Sequence, residues 1–194
     1  MFVGHYGRSF AIRAVRPEIP LWVLFVAAQL VDIAWTLLVL AGIEKLRVVP
    51  GFTAANPLDL YYMPYTHSLV AAVLWALAAA IVCRWVFRWR GWVVAAWVGV
   101  AVLSHWVLDL LVHRPDLPLY GNSAKVGLGL WNFLGISLAA FMLLMQVASI
   151  VGPPPPSPQV VAMSGFGAYL MFAALAAWID RGRRPIAAAN LELR

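Results

Sequence analysis

Apolar residues run almost unbroken through five stretches of the 194-residue chain, at 21–42, 69–87, 92–112, 126–151 and 160–179. Each supplies roughly the 20 helical residues that cross about 30 Å of hydrocarbon. The pattern predicts an all-α polytopic membrane bundle of about five transmembrane helices. Ahead of them, residues 2–16 mix Phe2, Phe10, Ile12 and Val15 with Gly4, His5, Arg8 and Arg13, which predicts a short N-terminal helix. Pro17 and Pro20 interrupt it and turn the chain into the first spanning helix. Two arrangements fit. If the turn is a hairpin, the N-terminal helix is re-entrant, and His5 and Asp32 come level roughly 18 Å from the turn at helical rise. If the segment lies flat at the interface, His5 stays near water.

The connections are polar and rich in turn formers. Segment 43–66 carries Pro50, Pro57 and Pro64, and its Tyr61, Tyr62 and Tyr65 fit an interfacial aromatic belt. Thr66 is expected to cap the helix that begins near His67. The segment RWVFRWRGW, 84–92, reads as a tight basic turn with Trp anchors, and Pro115 in HRPDLPLYGNSAK closes the third helix. PPPPSP at 153–158 reads as a stiff polyproline connector. Alternating crossings put the 43–66 loop, the 113–126 loop and the tail on one face. The expected organisation is one integral-membrane domain over 1–182 with a short basic and polar tail at 183–194. The first apolar stretch is too long for a secretory signal core and contains Asp32, so it is expected to be retained.

Composition supports the membrane and removes other classes. Hydrophobic residues make up 63% and charged residues 11%, against about 25% charged in a soluble domain. The net charge of +6 comes from basic residues flanking the apolar runs, where they anchor to headgroups. A nucleic-acid partner is therefore not expected. Six Lys and Arg fall on the turn face and eight on the loop face, so basic residues do not set the orientation. Cys83 is the only cysteine, which excludes an internal disulfide and a thiolate metal cluster.

Candidate chemistry concentrates in very few residues. His105, Asp109 and His113 recur at i, i+4 and i+8, which places them within an arc of about 80° on an otherwise apolar helix. His67 opens the preceding helix on the same side of the membrane, and Asp32 sits mid-span in the first. All four histidines and at least two carboxylates can converge in one pocket toward the loop face. An Asp at the bilayer centre costs about 2.5–3.5 kcal/mol, which a divalent cation would offset. Imidazole and carboxylate together suit Zn²⁺, Mn²⁺ or Fe²⁺ rather than Ca²⁺. Blander readings remain for single residues: His5 at the interface, His113 or Asp116 solvated in a loop, and Asp32 as a packing or proton-relay carboxylate.

GHY near the start, AAQLVDIAW, GIEKLRVVPG, YTHSL, SHWVLDLLVHRPDLPLY and KVGLGLWN together resemble the YdjM-type family of bacterial membrane-bound, metal-dependent hydrolases. The similarity covers residues 2–150, with YTHSL and SHWVLDLLVHRPD its most specific segments. The resemblance implies a helical protein of the bacterial inner membrane with a metal centre at His5, Asp32, His67, His105 and Asp109; the helical stripe adds His113. One departure bears on a second metal or a dedicated general base, because the family pattern carries an acid beyond LWN where this chain has Phe141.

The expected function is hydrolysis of a membrane lipid, or a lipid-linked ester or phosphoester, with zinc ahead of manganese or iron as the metal. The metal would polarise the scissile group and activate water. Asp109 or Asp116 would accept a proton, and Lys45, Arg47, Arg114 and Lys125 would hold substrate phosphate. The alternatives are an ion- or proton-coupled carrier or channel and a metal-binding protein without turnover. Polar groups gather in the loop half of the helices, which favours a closed site over a pathway.

Overall fold

The computed structural model describes residues 5–54, 57–86, 91–133 and 135, all within the compact unit Met1–Pro155. Three of the expected spans form there: α2 (Leu21–Leu40), α3 (Leu69–Val86) and α4 (Trp92–Val112), preceded by the short α1 (Gly7–Val15). All three are long and apolar enough to cross a membrane. Five spans are not confirmed. Val126 belongs to a strand, and the chain then makes a single 3₁₀ turn at Leu130–Asn132. Residue 134 and those from 136 to the end of the fourth run, Phe141 among them, the polyproline connector, the fifth run and the tail lie outside the described residues.

The N-terminal helix folds back on α2. Arg13 Nη1 donates to the Ile19 carbonyl, Ser9 Oγ to Leu24 and Arg8 Nη2 to Ala28, so positions falling along α1 meet positions rising along α2. That is the antiparallel hairpin which the two prolines allow. Ile19, fully buried in the turn, and Ile12 of α1 join Val23, Leu24, Ala27 and Val31 of α2 in the apolar core. α3 and α4 add Ala76, Cys83, Val98, Ala101 and Val102 to it. Small residues bring those two helices close, as membrane helices require where no solvent drives them together. A Cβ at Gly99 would stand 3.0 Å from the Ala76 carbonyl oxygen.

Both polar loops contain antiparallel hairpins that periodicity alone does not reveal. β1 (Lys45–Val48) pairs with β2 (Leu58–Tyr62), and β3 (Leu117–Tyr120) with β4 (Ser123–Val126). The second is a two-residue hairpin, with Gly121 at positive φ between the Tyr120 and Ser123 pair. Asn122 and Lys125 both donate to the Tyr61 carbonyl, which ties the two hairpins into one layer at the same end of the bundle. Gly127 lets the chain leave β4 across the end of α4, because a Cβ there would collide with the carbonyl oxygens of His113 and Arg114.

Thr66 does not cap α3, contrary to the sequence expectation. Ser68 does, its Oγ accepting the Ala71 N–H at 3.1 Å, while Thr66 turns toward Glu44. Glu44 arrives there because Gly42, at φ +72, ends α2. The N–H groups of Ile43 and Glu44 then fold back onto the Leu38 carbonyl.

Candidate metal centre

Each element delivers its polar residue to the loop-side half of the bundle. His5 lies just ahead of α1, Asp32 on α2, His67 just ahead of α3, and His105 and Asp109 one turn apart on α4. On α4 they continue the inward face of Ala95, Val98 and Val102, so the stripe that packs the core is the stripe that carries the chemistry. His5, His67, His105 and Asp109 are all buried, and the Asp32 side chain is 18% exposed.

The side-chain geometry is close and convergent. His105 Nε2 stands 3.1 Å from Asp109 Oδ2 and 3.4 Å from Asp32 Oδ1. His67 Nε2 stands 3.4 Å from the same Asp32 oxygen and 3.7 Å from Asp109 Oδ2. Two groups have ligand-type atoms near enough to share an ion: His5, His105 and Asp109, and Asp32, His67 and His105. The N···O separations around His67 and His105 are close to the edge of a tetrahedral site with bonds of about 2.0–2.1 Å, an edge of about 3.3 Å.

Hydrogen bonds on the far side of each ring separate the three imidazoles by role. His105 Nδ1 lies 2.8 Å from the Ala28 carbonyl, which can only accept, so Nδ1 carries a hydrogen, and in the neutral ring Nε2 keeps its lone pair. That Nε2 is buried and faces the carboxylate oxygens of Asp109 and Asp32. Imidazole nitrogens and carboxylate oxygens converging at these separations are the donor set of a cation, and the residues fit one. His67 shows the same pattern: its Nδ1 lies 2.8 Å from Thr66 Oγ1, whose own hydroxyl donates to Glu44. His5 is the reverse. Arg8, which can only donate, lies 3.1 Å from His5 Nδ1, so the neutral ring carries its hydrogen on Nε2, 3.2 Å from Asp109 Oδ1. The His5 ring stacks on His105 at 4.0 Å and 6°.

The remaining sequence candidates sit around this cluster. His113 donates from Nδ1 to Asp116 Oδ1 at 2.8 Å, and both are buried rather than solvated. The His113 ring lies 6.4 Å from that of His67 and 4.2 Å from that of Trp131, outside both metal-capable groups. Asp116 Oδ2 is buried without a hydrogen-bond partner. Of the cations, Arg47 pairs with Asp59 at 2.9 Å and lies over Tyr61, and Lys125 donates to the Tyr61 carbonyl. Arg114 lies over the Phe52 ring at 4.3 Å, and Lys45 stands in β1 opposite Tyr62. All four thus belong to the hairpin layer above the cluster.

Sequence reasoning passed over Arg8, Thr66 as a relay, and Glu44. Arg8 and Glu44 are charged residues beside long apolar runs, where Arg8 reads as a headgroup anchor and Glu44 as a loop residue. Only the burial of Glu44, 1% exposed, distinguishes it.

A family model described as YdjM inner membrane protein matches residues 4–179. No curated protein and no solved structure matches the chain.

Proposed function

The chain belongs to the YdjM inner membrane protein family and is an integral protein of that membrane; from that premise we propose that it is a membrane-embedded, metal-dependent hydrolase acting on a lipid or lipid-linked ester or phosphoester. The observation that carries the reading is the buried His105 Nε2, within 3.1 Å of Asp109 Oδ2 and 3.4 Å of Asp32 Oδ1, with His67 Nε2 converging on the same two carboxylates. His67, His105, Asp32 and Asp109 would hold the metal, with zinc ahead of manganese or iron. His5 would serve as a hydrogen-bond donor to Asp109 rather than as a ligand. When bound, the metal supplies a Lewis acid for the scissile group and an acidified water. Asp109 keeps His105 and His5 in register. Asp116 orients His113, and this pair beside the cluster is placed to accept a proton.

Two further features support a lipid substrate. An open groove of about 480 Å³, lined by Val70, Leu74 and Ala78 and bordered by Tyr65 and Ser68, runs along α3. Lys45, Arg47, Arg114 and Lys125 at the loop end provide positive charge for a phosphate. The test is turnover of a panel of phospholipids, lipid phosphates and lipid esters by zinc-replete protein in micelles. Comparison is with the His67→Ala, His105→Ala double variant. Hydrolysis by the wild type at least about a hundredfold above the double variant is expected, the scale of a metal-dependent step. No turnover above the double variant, together with ion flux in proteoliposomes that depends on Asp32, would replace this reading with a carrier.

A further inference from the structure

Glu44 lies outside the ligand set, yet it is among the most buried charged residues described. Its Oε1 accepts the backbone N–H groups of Tyr65 at 2.8 Å and Thr66 at 3.1 Å, and its Oε2 accepts the Thr66 hydroxyl at 2.6 Å. With its hydrogen committed to Glu44, Thr66 Oγ1 can meet His67 Nδ1 only as an acceptor. His67 must then donate from Nδ1, and in the neutral ring its Nε2, which faces Asp32 and Asp109, keeps the lone pair. We propose that Glu44 is a positioning residue which, through the Thr66 hydroxyl, holds His67 in the one neutral tautomer that can bind a metal. The chain Glu44, Thr66, His67 also fastens the end of α2 to the start of α3, so the hairpin layer and the metal centre share one hydrogen-bonded joint.

The polarity of this chain can be inverted without changing its shape. In Glu44→Gln the two backbone N–H groups hold the amide oxygen at the Oε1 position, which leaves the NH₂ facing Thr66. That group donates to Thr66 Oγ1, the hydroxyl turns to donate to His67 Nδ1, and the hydrogen of the neutral ring moves to Nε2. The lone pair then points away from the site. Thr66→Val removes the hydroxyl and leaves the tautomer unfixed, whereas Thr66→Ser keeps the chain intact. A purely structural Glu44 would show neither the inversion nor the difference between valine and serine.

The inference rests on the metal-centre reading, but its first measurement needs no metal. Protein labelled with ¹⁵N-histidine is stripped with chelator, and the His67 ring nitrogens are assigned by comparison with His67→Gln. Nδ1–H is expected in the wild type and in Thr66→Ser, and Nε2–H in Glu44→Gln. Titration with Zn²⁺ should show affinity falling about 10- to 100-fold in Glu44→Gln and Thr66→Val, the usual effect of removing a partner behind a ligand, and unchanged in Thr66→Ser. Should Glu44→Gln not fold, the Thr66→Val and Thr66→Ser pair decides alone. An unchanged Nδ1–H signal in Glu44→Gln, or zinc affinity within twofold of wild type in Thr66→Val, overturns the proposal. If the tautomer inverts while no form binds zinc, the positioning stands and the metal reading falls.

Discussion

α3 and α4 pack side by side and have similar lengths, and both bury small apolar residues, yet only α4 buries charged and titratable ones beside them. α3, the more apolar of the two, turns Val70, Val73, Leu74, Leu77, Ile81 and Val82 outward and buries only Ala71, Ala72, Ala76 and Cys83. α4 carries its histidine and aspartate pair on the buried face, among Ala95, Val98 and Val102. In water this distribution would be inverted, since exposed large aliphatics would associate and buried charge would seek solvent. In a bilayer it is the stable arrangement, because lipid solvates the aliphatic face of α3 and the protein interior solvates the polar stripe of α4. Large aliphatic residues thus lie both in the core and on the outer face of these helices. The few polar residues mark the inside and the function.

The comparison breaks most readily at Asp109. Replacing it with Ala removes a partner of both His5 and His105, and leaving buried polar groups unpaired costs about 3–5 kcal/mol. Asp109→Ala should lower the melting temperature in micelles by many degrees and lose the metal, whereas Leu77→Ala on the outer face of α3 should shift melting little. A large effect at Leu77 with none at Asp109 would reverse the assignment of inside and outside. The next largest effect is steric. Gly99→Leu forces side-chain atoms toward the Ala76 carbonyl and should cost about 1–3 kcal/mol, the range for an overpacked contact. Val73→Leu, on the outward face of α3, should be nearly neutral in the same melt.

These contrasts also explain what could be read before the fold was known. Three of the five expected spans were legible because about 20 continuous apolar residues admit few other structures, and the His105 and Asp109 stripe was legible because i, i+4 spacing is local. Helical rise and the two prolines allowed a hairpin with His5 and Asp32 level as one of two arrangements, and the contacts of Arg8 and Ser9 with α2 realise the hairpin. The strands were not legible. Four- and five-residue segments among prolines and tyrosines give too short an alternation, although Gly121–Asn122 between β3 and β4 is a turn signal. Glu44 was hidden for a different reason. Its role exists only through Thr66, 22 positions away, and the sequence suggested a helix cap for that threonine.

The smallest expected effect lies in the hairpin layer. Lys125 spends a hydrogen bond on the Tyr61 carbonyl and stands apart from the metal-capable groups. Lys125→Ala should raise KM for an anionic lipid several-fold with kcat nearly unchanged, the signature of lost uniform binding. A fall in kcat alone would place Lys125 in the chemistry and make the hairpin layer part of the reacting site.

The central claim is that the buried face of α4 exists to hold a cation, and metal content tests it most directly. Protein purified in detergent without chelator, with metals quantified by elemental mass spectrometry, should retain about one transition-metal ion per chain, the stoichiometry of a single closed site. His105→Ala should retain none, and chelation of the wild type should lower its melting temperature, because metal binding is linked to folding. Equal and negligible metal in both proteins, with melting indifferent to chelator, would contradict the account and leave the stripe as a hydrogen-bonded packing device.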